Sequence, residues 1–315
     1  MNNWSYLKPG DIIDVIATAP GIPLETLTQD LQVIRDFLKN LGLFPRINDQ
    51  AIAIGTKFFD SKAQEIRQQE LIKALKAEDS KAIWFLRGGY GTSKLLPALA
   101  EIPKPKRTKL LIGYSDLNCL HLWVEKFWQW PSLHARVLYD FIKRKDYADL
   151  EVLKTIIFGL QEEVTYSHLI PLNKQARELK YINGKITGGT CQVIQSGIGL
   201  PWQFDPRDKI LFLEEIFDRG VRLDRTLNHF AELGLFKKVK AILFGDIICG
   251  LENNGEQHCD LAVQNFATNI DVPVLTIANI GHDFLNYPLP LNTSSTLALN
   301  ENSPKLIIST GGEHV

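Results

Sequence analysis

Ser115 lies where a turn between a strand and a helix could present a nucleophile. The apolar run 110–112 breaks at Gly113, and Tyr114, Ser115 and Asp116 then lead into an amphipathic segment. The glycine gives the turn room, and the N–H groups at the start of the helix could stabilise an oxyanion. Position 117 is not glycine, so the G-x-S-x-G elbow is incomplete. The pattern therefore leaves two interpretations open, a nucleophile or a serine that caps the helix.

A glycine-rich turn precedes this serine by one helix-length segment. The apolar stretch 83–86 runs into residues 87–91, which include Gly88, Gly89 and Gly91. A βαβ unit would set the two turns side by side, because parallel strands end at the same edge of a sheet. The glycines do not follow G-x-G-x-x-G and no P-loop lysine comes after them, so the turn is a poor dinucleotide site.

An acidic pair and a histidine follow two later apolar runs. The stretch 209–213 ends on Glu214 and Glu215, and the stretch 273–277 runs into a loop that carries His282. A carboxylate at a strand end is well placed to orient an imidazole, which could act as a general base. Of the seven histidines, His282 alone follows a predicted strand in this way. The other interpretation of the glutamates is a solvated pair that opens a loop.

Other residues that could carry chemistry have simpler explanations. Cys119 and His121, on the helix after the serine, are expected to pack against neighbouring elements. His258, Cys259 and Asp260 could be read as a metal cluster, but they begin a predicted helix, where capping or plain exposure is expected. The four cysteines show no C-x-x-C spacing, so we expect neither a structural zinc nor a disulfide framework. No metal or cofactor is expected.

The elements that would position these residues alternate between strands and helices. Strands are predicted at 11–17, 82–86 and 109–112, and helices at 24–40 and 60–76. This alternation predicts an α/β fold, in which an N-terminal and mostly parallel sheet is flanked by helices.

The chain is predicted to form two domains joined by a linker. Residues 1–145 form the N-terminal α/β domain with the serine, and residues 179–315 form a smaller C-terminal domain, α+β or barrel-like, with the glutamates and His282. Residues 146–178 are polar and weakly periodic, as in a linker that retains some helix. The second domain opens with Asn183-Gly184, a dipeptide typical of a hairpin turn. A cleft between the domains would then hold the site.

The overall composition is that of a globular protein. The 315 residues include 45% hydrophobic and 23% charged residues, and the formal net charge is −1. This near-neutral balance argues against nucleic acid or an anionic membrane as the main partner. No apolar run reaches the length of a membrane span, and the first residues lack the basic and apolar regions of a signal peptide. We therefore expect a cytoplasmic enzyme.

Several short motifs, spread over nearly the whole chain, resemble one family of enzymes. In chain order they are Arg87-Gly-Gly-Tyr-Gly91, Gly113-Tyr-Ser-Asp116, Leu211-Phe-Leu-Glu-Glu215, Arg222-Leu-Asp-Arg225 and Ala278-Asn-Ile-Gly-His282. Together they resemble the LD-carboxypeptidase family, the serine peptidases that include murein tetrapeptide carboxypeptidases and the microcin C immunity proteins. The chain departs from the family pattern at Thr190, where asparagine is common.

The resemblance implies roles for individual residues. Ser115 would be the nucleophile, His282 the general base and acid, and Glu214 the carboxylate that orients the imidazole. The backbone N–H groups of Asp116 and Gly89 would form the oxyanion hole. No metal or cofactor takes part in this mechanism. The family is commonly dimeric, so a homodimer is expected.

The resemblance also implies a small peptide substrate. The bond would join an L-centre to a terminal D-amino acid, as in murein tetrapeptides that end in D-alanine and are recycled from peptidoglycan. Within the family, a microcin-type aminoacyl-nucleotide amide is the alternative. A protein of another class, an anion-binding module whose serine only caps a helix, also stays open.

A carboxypeptidase must bind the free carboxylate at the end of its substrate, and guanidinium groups or helix-start N–H groups do this best. Arg87 and Gly88, in the glycine-rich turn, and Arg136 are the predicted contacts, with Arg222 as a further candidate. Arg136 is of interest because the family usually has a His-Gly-Pro-like element where this chain has His-Ala-Arg at 134–136.

Overall fold

The computed structural model describes residues 3–144, 147–299 and 303–314, which form two large sheets and one short strand pair. The strands are β1 (Trp4–Ser5), β2 (Ile12–Ile16), β3 (Phe44–Ile47), β4 (Ser80–Phe85), β5 (Leu110–Gly113), β6 (Ser132–His134), β7 (Glu163–Tyr166), β8 (Ile170–Pro171), β9 (Lys180–Thr190), β10 (Ile210–Asp218), β11 (Ala241–Cys249), β12 (Val274–Thr276), β13 (Leu289–Leu291), β14 (Ser294–Leu299), β15 (Lys305–Ser309) and β16 (Gly312–Glu313).

Helices cover the sheets. They are α1 (Leu24–Asn40), α2 (Asp49–Gly55), α3 (Ser61–Lys76), α4 (Leu96–Leu99), α5 (Asn118–Trp128), α6 (Leu138–Lys143), α7 (Ala148–Ile157), α8 (Cys191–Ser196), α9 (Gly220–Glu232) and α10 (Cys259–Thr268), with short 3-10 turns at Thr92–Leu95, Ser115–Leu117 and Gln175–Arg177. Within the described ranges, no helix is both long and apolar enough to cross a membrane.

The first sheet has six strands in the order β13-β6-β5-β4-β2-β3. Five of them are parallel, and β13 runs antiparallel to β6. On β4, Trp84 belongs to one buried apolar cluster, whereas Ile83 and Phe85 belong to the other. Successive side chains on a strand point to opposite faces, so the sheet is covered on both sides. The predicted α/β class, with a mostly parallel sheet flanked by helices, is confirmed.

The second sheet has eight strands in the order β7-β15-β14-β9-β10-β11-β12-β8. Strands β9 to β12 are parallel, and the remaining pairs are antiparallel. Phe212 on β10 joins the cluster that contains Trp84, and Leu213 joins the cluster that contains Phe85. The two sheets therefore share both apolar cores. This packing holds the two sheets in a fixed position relative to each other.

Residues 146–178 contribute regular structure at both ends of the second sheet. They contain α7 and the two end strands, β7 and β8. The predicted domain boundary between residues 145 and 146 lies outside the described residues. Near the end of the chain, β13 returns to the first sheet and β16 pairs with β1. The domain boundaries stay predictions.

Two long helices follow the local sequence signals closely. On α1, Leu27, Leu31, Ile34 and Leu38 recur at helical spacing and are buried. At the start of α3, the Asp60 side chain accepts a hydrogen bond from the N–H of Ala63 at 2.7 Å. Such an N-cap stabilises a helix by about 1 kcal/mol.

Asn183 and Gly184 do not form a hairpin turn, so that prediction was wrong. They lie inside β9, where they pair with Thr296 and Ser295 of the antiparallel strand β14. The Thr296 hydroxyl also donates to Asn183 Oδ1 at 2.8 Å. Pairing with a strand that comes much later in the chain overrides the local turn preference of the dipeptide.

Cys249 and Cys259 are joined by a disulfide, with their Cα atoms 5.7 Å apart. The cysteine spacing predicted no disulfide framework, so this bond was not anticipated. Cys249 ends β11 and Cys259 begins α10, because the loop 250–258 brings the chain back to the end of the strand. Sequence spacing alone does not reveal this return. Cys119 and Cys191 are buried free thiols.

Candidate active site

Ser115 lies in a strained turn between β5 and α5. The strand ends at Gly113, and the 3-10 turn Ser115–Leu117 leads into the helix. Ser115 has a φ of 67°, a left-handed conformation that is uncommon for residues other than glycine. A Cβ on Gly113 would lie 2.3 Å from Cδ1 of Leu117, so a side chain there would displace that leucine. Strained residues of this kind cluster at functional sites.

The glycine-rich turn after β4 packs directly against the serine. A Cβ added to Gly88 would lie 3.0 Å from Ser115 Cβ and 3.3 Å from its Oγ. Gly89 has a φ of 119°, which residues with a side chain rarely adopt. Because β4 and β5 are neighbours in the sheet, the two turns meet at one edge, as the βαβ pattern predicts.

Glu214 and His282 form a buried hydrogen-bonded pair. Glu214 Oε2 lies 2.7 Å from His282 Nδ1, and their side chains are 0% and 8% exposed. Burial by itself lowers the pKa of His282, but the charge of the Glu214 carboxylate and its hydrogen bond outweigh this effect. The pKa of His282 is therefore raised above its ordinary value. With Nδ1 held by the carboxylate, Nε2 is the nitrogen that can act as a base.

Glu215 is held by backbone groups instead of the histidine. Its carboxylate accepts hydrogen bonds from the N–H groups of Gln192 and Ile216, both at 2.9 Å. Burial raises the pKa of this glutamate to about 7. The two neighbouring glutamates therefore have different partners, and Glu214 is the one that meets His282.

Asp246, within β11, holds the turn that carries His282. Its Oδ1 accepts a hydrogen bond from Asn279 N–H at 2.9 Å, and its own N–H donates to Ile280 O at 2.8 Å. Burial raises the pKa of Asp246 to about 6. Sequence reasoning missed this residue. Its signal was an acidic residue after an apolar strand, the same signal that marked the glutamates.

Tyr114 links the serine turn to the histidine. Its ring centroid lies 4.7 Å from that of His282, and its hydroxyl donates to Asp140 Oδ2 at 2.7 Å. The residue that precedes Ser115 therefore packs against the imidazole. By these contacts the structure brings the serine turn, the histidine and Glu214 to one place between the two sheets.

Asp116 anchors the serine turn to the segment after the glycines. Its Oδ2 accepts a hydrogen bond from Thr92 N–H at 2.8 Å. Burial raises the pKa of this carboxyl, against the effect of that bond. The backbone N–H of Asp116 belongs to the first turn of a helix, where N–H groups have no intrahelical acceptor. Its predicted role in an oxyanion hole, shared with Gly89, stays a prediction.

The three candidate arginines differ in their surroundings. Arg136 is 1% exposed; its Nε lies 2.9 Å from Asp149 Oδ2, and its Nη2 donates to Phe284 O at 2.7 Å. It supports the loop that follows His282, and these contacts do not favour its predicted role as a substrate contact. The side chain of a further candidate, Arg222, is 54% exposed, and its Nε lies 3.3 Å from Asp218 Oδ1.

Arg87 directly precedes the glycine that packs on Ser115. It is partly buried, its Nη1 donates to Gly21 O, and its Nε lies 3.2 Å from Gly88 O. The guanidinium is therefore fixed beside the glycine that packs on Ser115. Of the predicted substrate contacts, Arg87 and Gly88 are the two that the structure places next to the serine.

His121 and His258 have local partners. His121 Nε2 donates to Gly113 O at 2.9 Å, and burial lowers its pKa to about 4. His258 Nε2 lies 3.2 Å from Glu256 Oε2. Among the residues that the structure describes, no group of three or more His, Cys, Asp or Glu side chains could hold a metal ion.

Comparison with known proteins identifies the family. Residues 13–135 match the LD-carboxypeptidase N-terminal domain, and residues 183–297 match the LD-carboxypeptidase C-terminal domain. A Rickettsia conorii protein with a provisional assignment as a carboxypeptidase is 36% identical over 287 residues, which cover 90% of this chain and 87% of that protein. The chain belongs to the LD-carboxypeptidase family.

Two further comparisons are more distant in sequence. The murein tetrapeptide carboxypeptidase of Pseudomonas aeruginosa is 27% identical over 251 residues, covering 75% of this chain and 78% of that protein. The structure of MccF in complex with glutamyl sulfamoyl guanosine superposes with a TM-score of 0.81 at 18% identity, over 99% of this chain and 100% of that one. The similarity to MccF shows that the two chains share a fold.

Proposed function

We propose that this chain is a serine LD-carboxypeptidase that releases terminal D-alanine from murein tetrapeptides during peptidoglycan recycling. The observation that carries the proposal is the buried Glu214–His282 pair, with Nδ1 and Oε2 2.7 Å apart, in contact with Tyr114, the residue before the left-handed Ser115. A carboxylate on β10, an imidazole in the loop after β12 and a strained serine after β5 are the parts of a hydrolytic triad. Family membership and the named murein tetrapeptide carboxypeptidase of Pseudomonas aeruginosa support the substrate class.

In the proposed reaction, His282 Nε2 takes the proton of the Ser115 hydroxyl as Oγ attacks the carbonyl carbon of the L-centre. The imidazolium is stabilised by Glu214. It then gives its proton to the leaving nitrogen of D-alanine, and the C–N bond breaks. Water attacks the acyl-serine with His282 again as base, which releases the tripeptide and returns the proton to Ser115. The N–H groups of Gly89 and Asp116 would stabilise the oxyanion in both steps.

The function is tested by incubating the protein with a panel of L,D-peptides and an aminoacyl sulfamoyl adenylate, with the products identified by mass. The proposal expects release of D-alanine from the tetrapeptide. Cleavage of the adenylate alone would favour the microcin-type immunity hydrolase, which the MccF fold similarity supports as the second candidate. Cleavage of neither, with retention of anionic ligands, would indicate an anion-binding module.

Amidation of the substrate's C-terminus is expected to lower kcat/KM by about 100-fold or more, because a charge-assisted contact to the carboxylate is lost. Arg87 is the proposed contact. Arg87→Met should show the same loss with the free acid and little further loss with the amide. The matched control is Arg177→Met. In the wild-type protein, Arg177 Nη2 donates to Pro171 O at 3.0 Å. Equal turnover of acid and amide by the wild-type protein would contradict recognition of a chain end.

Gly88→Ala is expected to lower turnover by about tenfold or more while the melting temperature changes little. The new methyl group would lie 3.3 Å from Ser115 Oγ, tighter than an ordinary contact, and would shift the attacking atom. The control is Gly184→Ala. A Cβ at position 184 would have its nearest neighbouring atoms at 3.6 Å, an ordinary van der Waals distance. Wild-type turnover in Gly88→Ala would show that the glycine turn does not confine the serine.

We also propose a cytoplasmic location and a homodimer. The near-neutral charge and the family resemblance support these proposals. The Cys249–Cys259 disulfide is the observation that opposes the location, because cytosolic thiols are normally kept reduced.

A further inference from the structure

A chain of buried polar side chains runs from Glu214 into the first sheet. The Thr190 hydroxyl donates to Glu214 Oε1. It also lies 2.8 Å from Asn118 Oδ1, and Thr190 N–H donates to the same oxygen at 3.2 Å. Asn118 Nδ2 lies 3.4 Å from His134 Nδ1. Thr190 is 4% exposed, and Asn118 and His134 are 0% exposed.

The Thr190 hydroxyl has one proton and two acceptors within reach. Asn118 Oδ1 already receives the Thr190 N–H, whereas Glu214 Oε1 is part of a buried carboxylate that needs a donor. A hydrogen bond to a charged acceptor is stronger than one to a neutral amide. The proton therefore goes to Glu214, and the carboxylate keeps its other oxygen on His282.

Asn118 is fixed on all sides. The Thr190 N–H requires an acceptor, so the amide oxygen faces Thr190 and Nδ2 faces His134. Burial lowers the pKa of His134 far below its ordinary value, so its ring stays neutral and Nδ1 can accept. A Cβ on Gly189 would lie 2.3 Å from Asn118 Cγ, so glycine is what permits the approach.

We propose that Thr190, fixed by Asn118, is a positioning residue that holds Glu214 so that its second oxygen orients His282. Asn118 is the first residue of α5, directly after the turn Ser115–Leu117. The contact therefore also ties the helix of the nucleophile to the strand of the acid. This inference deepens the proposed function and rests on it through the Glu214–His282 pair.

Removal of the Thr190 hydroxyl should change how that pair binds protons. The donor stabilises the state in which the pair carries a negative charge, so its loss raises the pair's apparent pKa. Among the residues that the structure describes, the other ionisable groups that act on Glu214 or His282 are Glu215, Asp246, Asp140, Tyr114, Cys191 and His134. None of them is altered by a change of threonine to valine, which keeps the shape of the side chain.

The test is an NMR titration of the His282 ring in the full chain, with His282→Ala used to assign the signal. In Thr190→Val the apparent pKa of the pair is expected to rise by about one unit. Thr190→Ser should restore the wild-type value. Thr187→Val is the matched control, since this buried threonine of the same strand donates to Glu125 Oε2 at 2.7 Å. It should leave the titration unchanged.

Activity supplies a second and separate readout. With the D-alanine-terminated tetrapeptide, Thr190→Val is expected to lower kcat about tenfold with little change in KM, and to move the acidic limb of kcat/KM to higher pH. Asn118→Ala combined with Thr190→Val should lose no more than the worse single variant, because Asn118 acts through Thr190.

An unchanged His282 titration in a folded Thr190→Val variant, or an equal shift in Thr187→Val, would overturn the inference. The titration does not require a substrate. If the tetrapeptide is not hydrolysed but the titration shifts as expected, the proposed function fails and the positioning role stands.

Discussion

Ser115→Ala is expected to abolish tetrapeptide hydrolysis, with turnover reduced by about 10⁴-fold or more, while the protein folds normally. The loss is large because the three groups of the proposed triad act as a unit and alanine removes the attacking oxygen. Ser115→Gly should be equally inactive yet more stable than Ser115→Ala, because glycine adopts a φ of 67° without strain. Turnover is measured by release of D-alanine, and stability by thermal unfolding.

The matched control is Ser196→Ala. Ser196 is exposed, lies in α8, and donates to Val193 O at 2.7 Å, so its removal should leave turnover unchanged. Near-normal hydrolysis by Ser115→Ala would refute the serine mechanism outright, whatever the other variants show.

The neighbouring glutamates provide the second large effect. Glu214→Gln is expected to lower kcat/KM by about 10³-fold or more, because the amide can donate to His282 Nδ1 and fix the wrong tautomer. Glu215→Gln should stay within about threefold of the wild-type value, since the Glu215 carboxylate accepts hydrogen bonds from the backbone N–H groups of Gln192 and Ile216 and not from His282. The comparison is a pH profile of kcat/KM for both variants.

The pH profile carries a sign as well as a magnitude. The Glu214 carboxylate raises the pKa of His282, so its replacement by the neutral amide should move the acidic limb to lower pH. Thr190→Val should instead move the acidic limb of kcat/KM to higher pH. If Glu215→Gln were inactive and Glu214→Gln active, Glu215 and not Glu214 would be the carboxylate that orients His282.

Much of the fold follows from local patterns that the sequence displays. The spacing of Leu27, Leu31, Ile34 and Leu38 marks α1 without knowledge of any partner. Apolar runs that end in polar residues mark the parallel strands. The topology then places those ends together, since neighbouring parallel strands finish at the same edge.

Other features depend on contacts between distant residues. Asn183-Gly184 lies in a strand because β14 pairs with it. Arg136 is buried because Asp149 and Phe284 O receive its guanidinium. These partners are invisible in a pattern of sequence neighbours.

The site was predictable in part for the same reason. Ser115, Glu214 and His282 could be nominated because each follows an apolar run, and the family resemblance supplied their roles. The bond from Thr190 to Glu214 and the support of the His282 turn by Asp246 required coordinates. Polar residues that act through another side chain leave no spacing signal, because their distance along the chain is unrelated to their contact.

The most direct measurement is covalent labelling with a serine-reactive aryl phosphonate, whose phosphorus bonds to the serine oxygen as the aryloxide leaves, followed by peptide mass mapping. A serine mechanism predicts one label per chain, on the peptide that contains Ser115, and a strong loss of labelling in His282→Ala. The fraction of protein that carries the label should equal the fraction of tetrapeptide hydrolysis that is lost. A protein that hydrolyses the tetrapeptide while Ser115 stays unmodified, or with the label on another residue, would contradict the mechanism.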